Sequence, residues 1–136
     1  MRETGQRGNG TALSGRTAIE WRHKVFVGYV LVMMLVFLLP VPPSPVGGFS
    51  YVDKLVHFGI FFGFALLFYL DRHGGAWWTF LISSAFAGAI ELVQAILPYR
   101  DGDWLDFAAG AAGAIVGAVL LLFSERGSRL HGKQRV

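Results

Sequence analysis

The sequence predicts an all-α membrane protein, a bundle of four transmembrane helices with mobile polar N- and C-terminal tails. Three observations predict it. Of the 136 residues, 54% are hydrophobic and only 15% charged, with mean hydropathy +0.50, whereas a soluble domain carries about 25% charged residues. The apolar residues are gathered into four long runs, and a bilayer is crossed by about 20 such residues. The runs also lack the polar face at helical spacing that a soluble bundle needs.

The elements follow in order. Residues 1–20 are rich in Gly, Ser, Thr and Arg; they cannot bury a core and are expected to form a disordered cytoplasmic tail. The membrane domain is expected over 21–124, with spans at about 23–40, 53–70, 77–97 and 104–123. The first apolar run, Val25–Leu39, is closed by Pro40-Val41-Pro42-Pro43-Ser44-Pro45, because proline removes a backbone donor. Arg22-His23-Lys24 precedes it as in a signal peptide. No small-x-small cleavage site follows and three more runs do, so an uncleaved first span is expected. The second run, Leu55–Leu70, is closed by Asp71-Arg72-His73-Gly74-Gly75, and the third, Trp77–Leu97, by Pro98. The fourth, Trp104–Phe123, leads into a basic tail over 125–136.

Orientation follows from the basic residues. Ten of the 12 Lys and Arg fall on one side: Arg2, Arg7, Arg16, Arg22 and Lys24, then Arg72, then Arg126, Arg129, Lys133 and Arg135. Lys54 and Arg100 fall on the other. The positive-inside rule then places both termini in the cytoplasm. Interfacial aromatics agree, with Trp21, Tyr69, Trp77 and Trp78 at the inner boundary and Tyr51, Tyr99 and Trp104 at the outer one. For helix contacts the sequence offers Gly59/Gly63 on the second span and Gly113/Gly117 on the fourth, two GxxxG pairs that predict packing of these spans on each other.

The net charge of +3 and pI near 9.6 reflect tails that attract anionic headgroups. No pattern of a nucleic-acid reader is present. With no cysteine, disulfides and thiolate metal sites are excluded. No cofactor is expected. A metal site built from His57, Glu91 and the aspartates is weighed and set aside, because His57 is the single histidine of that side.

Candidate chemistry concentrates at the outer end. Asp53, Lys54 and His57 begin the second span, Glu91 and Gln94 lie near the end of the third, and Arg100, Asp101, Asp103 and Asp106 surround the start of the fourth. An ionised carboxylate at the depth of Glu91 costs on the order of 2.5–3.5 kcal/mol unless paired, protonated or wet. Gln94 shares its face, as Asp53 does with His57 and Asp103 with Asp106. The expectation is one outward-facing polar pocket. His57, Glu91 and Asp106 would carry acid–base catalysis, and Asp53, Lys54, Gln94, Arg100 and Asp103 would bind the substrate. The alternative is a structural ion-pair network, Glu91 with Arg100 or Lys54 and Asp106 with His57. His23, His73 and His131 are expected to be solvated. No nucleophile stands out: Ser44 and Ser50 lack a neighbouring base, and Ser83 and Ser84 lie in the inner half.

These residues carry a resemblance. Asp53-Lys54-x-x-His57-Phe58, Glu91-Leu92-x-Gln94 and Arg100-x-x-Asp103-Trp104-x-Asp106, running into Gly113-x-x-x-Gly117, make the chain similar to the VanZ-like family of small bacterial integral membrane proteins over about 51–122. One departure is Gly110, where the family usually has Asn. The resemblance implies a multi-pass protein of the bacterial cytoplasmic membrane, a role at the cell envelope and a link to glycopeptide resistance. It implies as partners membrane lipids, a lipid-linked cell-wall precursor or a glycopeptide, and it leaves homo- or hetero-oligomerisation and catalytic turnover open. The first functional expectation is binding or modification of such an anionic lipid, precursor or glycopeptide. The second is a non-enzymatic scaffold or subunit of a membrane complex in which the polar cluster is structural. A proton-linked transporter is disfavoured by four short spans without a visible inverted repeat.

Overall fold

The computed structural model describes residues 9–40, 51–72, 74–100 and 102–133, with side chains described between 17 and 127. Among these residues it holds four α-helices: α1 Asn9–Leu38, α2 Tyr51–Arg72, α3 Ala76–Ile96 and α4 Trp104–Lys133. Each is long and apolar enough to cross a membrane, over Thr17–Leu38, Tyr51–Arg72, Ala76–Ile96 and Trp104–Gly127. The fold class is the one expected. The helix bounds differ at both ends of the chain, where α1 begins at Asn9 and α4 runs to Lys133. Residues 9–20 and 125–133, expected in mobile tails, are therefore helical. Once a span has formed, each added residue gains a hydrogen bond without a new nucleation step, so polar but helix-permissive flanks prolong it. Residues 1–8, the proline-rich stretch 41–50 with Ser44 and Ser50, His73, Asp101 and 134–136 lie outside the described residues.

The helices run up and down, so α1 ends, α2 begins, α3 ends and α4 begins at one pole. The closest pairing is α2 with α4. A Cβ at Gly113 would run into the carbonyl of Phe58, and one at Gly117 would sit 3.0 Å from Ala65 Cβ. The expected reciprocal glycine contact is only half present. Gly59 faces open space, and Gly63 faces α1, where a Cβ would lie 2.6 Å from the Tyr29 hydroxyl. The reason is angular: α2 presents Phe58, Phe62 and Ala65 to α4, and its glycines fall elsewhere around the helix. Gly110 packs where three helices meet, its Cβ position 2.7 Å from the Phe61 ring and 3.2 Å from Ala87. No room is left there for the amide side chain expected of the family.

The core is aromatic. Met33, Phe37, Phe61, Phe64, Ala87 and Ile90 form its buried centre. His57, Phe61, Phe64 and Phe68 line one face of α2 at helical spacing. Phe61 stacks on Phe37 at 5.7 Å and Phe64 on Phe86 at 5.0 Å. Leu31, Val32, Leu35, Leu92, Ile96 and Leu120 point outward and are exposed, as suits a surface solvated by lipid. At the other pole Gly75 takes φ +78°, a left-handed conformation natural to glycine, and starts α3. Its carbonyl accepts from the Thr79 amide and hydroxyl.

Candidate functional site

The polar residues of the α1-end/α2-start pole divide into two constructions. The first is a clamp on α1. The last carbonyls of a helix have no partner within it, and here other elements supply the donors. Gln94 Nε2 donates to the Phe37 carbonyl at 3.0 Å, and Tyr99 Oη to that of Leu38 at 3.0 Å. Arg100 donates to those of Val36 at 3.1 Å and Leu39 at 3.2 Å. The guanidinium thus sits at the negative end of the α1 dipole. Gln94 and Arg100, expected in one pocket with the other site residues, spend these donors on the carbonyls of α1. Free backbone acceptors in a low-dielectric setting claim the nearest donors, and a residue-type reading of the sequence does not show them. Tyr99, read only as an interfacial aromatic, is the member of the clamp that was missed.

The second construction is the cluster of Asp53, Lys54, His57, Glu91, Asp103 and Asp106. Lys54 Nζ bridges Asp103 Oδ2 at 2.8 Å and Asp106 Oδ1 at 3.1 Å, so it ties the start of α2 to the start of α4. Asp103 is the N-cap of α4. Its Oδ1 accepts from the Leu105 amide at 2.9 Å and its carbonyl from the Asp106 amide at 2.8 Å, the usual service of aspartate at this position. Its own amide donates to Glu91 Oε1. In a capping box an acid three residues into the helix would accept that amide. Here Glu91 reaches across from α3 to do it, which leaves Asp106 to Lys54. The Lys54 ammonium and then the Leu105 amide hold the Asp103 carboxyl below the ordinary aspartate range.

His57 is 2% exposed. Its Nδ1 lies 3.1 Å from the Asp53 carbonyl and 3.9 Å from the Asp53 carboxylate, and its ring lies 4.5 Å from that of Phe37. A carbonyl only accepts, so the contact puts a proton on Nδ1. His57 Nε2 and Glu91 Oε2 are buried without a hydrogen-bond partner. The Glu91–Arg100 and Asp106–His57 ion pairs of the structural alternative are replaced by Lys54 with Asp103 and Asp106. Glu91 also lines a cleft of about 490 Å³ between α3 and α4, whose other walls are Ala85, Gly88, Ala89, Leu92, Trp104 and Phe107.

His23 is not merely solvated. At the opposite pole its Nδ1 lies 3.3 Å from Asp71 Oδ2, a carboxylate 4% exposed that also meets Arg72 Nε at 3.2 Å. His73 is outside the described residues.

Comparison with known proteins adds a family and one relative. A family profile described as VanZ/LLP1 matches residues 24–125. An uncharacterized protein of Schizosaccharomyces pombe is 30% identical over 108 residues, which cover 75% of this chain and 64% of that protein. The chain thus matches less than two thirds of that relative's length. No solved structure matches it.

Proposed function

The chain belongs to the VanZ/LLP1 family, and on that premise we propose that it acts at the cell envelope by binding or modifying an amphiphile. The ligand is an anionic lipid, a lipid-linked precursor or a glycopeptide. The observation that carries this reading is the position of Glu91, which belongs both to the polar cluster and to the apolar cleft between α3 and α4. A molecule with a hydrocarbon part in that cleft would bring its polar part to Lys54, His57, Glu91 and Asp106. Lys54, shared between Asp103 and Asp106, is the cationic side chain of the cluster that a negative group would meet. His57, whose Nε2 has no hydrogen-bond partner, and the carboxyls of Glu91 and Asp106 are the groups for proton transfer. Asp53 and Asp103 hold them in place. Gln94 and Arg100 act through α1 and not on the ligand. Ionisable groups placed within membrane spans mark function more often than packing. The basic-residue asymmetry supports an orientation with both termini in the cytoplasm and the cluster facing out. The family resemblance supports the bacterial cytoplasmic membrane as the compartment.

The second reading is a scaffold or subunit of a membrane complex. It is favoured by the degree to which these side chains serve helix ends: Gln94, Tyr99 and Arg100 close α1, and Asp103 with Glu91 opens α4. One comparison separates the two. Lipids and cell-wall precursors retained by the purified protein are identified by mass spectrometry in the wild type and in Gly88→Leu, which fills the cleft beside Phe107. A defined amphiphile present on the wild type and lost from the folded variant is expected. An unchanged lipid profile together with a stoichiometric protein partner would replace the first reading with the second.

A further inference from the structure

Among the described residues, four carboxyl groups, Asp53, Glu91, Asp103 and Asp106, share one pole with two cationic side chains: Arg100 is spent on the α1 carbonyls, and Lys54 is divided between Asp103 and Asp106. In a partly buried setting such a surplus of acceptors is expensive unless a cation or protons balance it. Within this group a ring nitrogen of His57 and one carboxylate oxygen each of Asp53 and Asp106 lie within 4.8 Å of one another. His57 supplies a separate observation. Its ring is almost wholly buried, its Nδ1 proton is committed to the Asp53 carbonyl, and its Nε2 has no partner. A histidine whose other ring nitrogen is fixed by a backbone carbonyl has the tautomer of a metal ligand.

We propose that Asp53, His57 and Asp106 bind a divalent metal ion of the Zn²⁺ or Mn²⁺ class. One imidazole with two carboxylates is a borderline donor set, suited to these ions more than to soft ones. Metal–ligand bonds near 2.1 Å need donor atoms roughly 3.4 Å apart, so the trio closes by about an ångström. Asp53 supplies that movement: its side chain is 44% exposed, and its carboxylate approaches His57 at 3.9 Å on the Nδ1 side. Asp106 holds Lys54 through Oδ1, which leaves Oδ2 for the ion. Glu91 Oε2 is the unpartnered acceptor of the neighbouring helix. The site shares His57 and Asp106 with the amphiphile reading but does not depend on it, since it needs no lipid; with the ion bound, Glu91 is the group left for proton transfer. If both hold, the ion gives an anionic headgroup the positive charge that Lys54 spreads over two carboxylates.

The test uses the full chain in a nonionic detergent, free of affinity tag and of phosphate. Free Mn²⁺ is counted by electron paramagnetic resonance, with Zn²⁺ as competitor. Saturable binding of one Mn²⁺ per chain, displaced by Zn²⁺, is expected. His57→Gln should weaken it by about tenfold or more. Lys54→Gln should tighten it several-fold, because an ammonium no longer competes for Asp106; a purely structural cluster would not respond in this direction. If His57→Gln fails to fold, Asp53→Asn carries the test from its more exposed position. Absence of one-to-one binding of either ion to the folded wild type overturns the proposal. Binding by folded His57→Gln or Asp53→Asn equal to that of the wild type also overturns it.

Discussion

Glu91 accepts the amide that opens α4 while its second oxygen has no partner, and these two facts separate its structural from its chemical role. Glu91→Ala leaves the half-buried Asp103 amide without its acceptor, a loss on the order of 1 kcal/mol. Glu91→Gln keeps an oxygen in place and should melt closer to the wild type in detergent. If the carboxyl also transfers protons, ligand turnover is lost in both variants, although only one of them is unstable. Equal melting of the two variants would remove the amide contact from the account. Asp103 gives a pH prediction. Its carboxyl is held below the ordinary range by Lys54 and Leu105, so its ionised form is favoured by folding. That contribution is complete above the ordinary aspartate pKa and is lost as pH falls through the lower folded value. The melting difference between wild type and Asp103→Asn should therefore be present at pH 7 and shrink only in strong acid; a constant difference down to pH 3 would contradict the Lys54 pairing. The sequence revealed that Asp53, Lys54, His57, Glu91, Asp103 and Asp106 share a pole, because helix periodicity and span length fix depth. It did not reveal that Arg100 and Gln94 turn to α1, because the acceptors that claim them are main-chain carbonyls, and a carbonyl has no residue type to read.

At the scale of elements, span length and apolar runs made four helices legible, while glycine spacing was a weaker guide. Small residues permit close approach but do not state which neighbour approaches. Gly113 and Gly117 meet α2, Gly63 meets the Tyr29 hydroxyl of α1, and Gly59 meets open space. The consequence is a graded series. Gly113→Ala forces α4 away from the Phe58 backbone and should cost about 1–3 kcal/mol, the range for overpacking. Gly59→Ala should leave the melting temperature unchanged or raise it slightly, since it places a better helix former where nothing is crowded. Thermal unfolding of the two variants in detergent checks the pair; equal destabilisation would mean that α2 is rotated from the orientation described. Gly63→Ala falls between them, because Tyr29 is a side chain and can give way, though its hydroxyl bond to the Ile60 carbonyl at 2.6 Å would be strained.

At the scale of the whole molecule, the ten-to-two division of basic residues predicts that both termini are cytoplasmic. Cysteines introduced singly at Ser50 and Ser128 test this with a membrane-impermeant thiol reagent on intact cells. Labelling at position 50 alone is expected, and labelling at 128 alone would invert the protein. The same polarity has a bearing on α1, which packs on α2 and α3. The donors that close its carbonyls stand 57 to 64 residues further along the chain. At synthesis rates of about 5–20 residues per second, they emerge roughly 3–13 s after their acceptors. For that interval the end of the first span is uncapped in the lipid or held by the insertion machinery, and the arrival of Gln94, Tyr99 and Arg100 is the moment at which the newborn chain becomes a bundle.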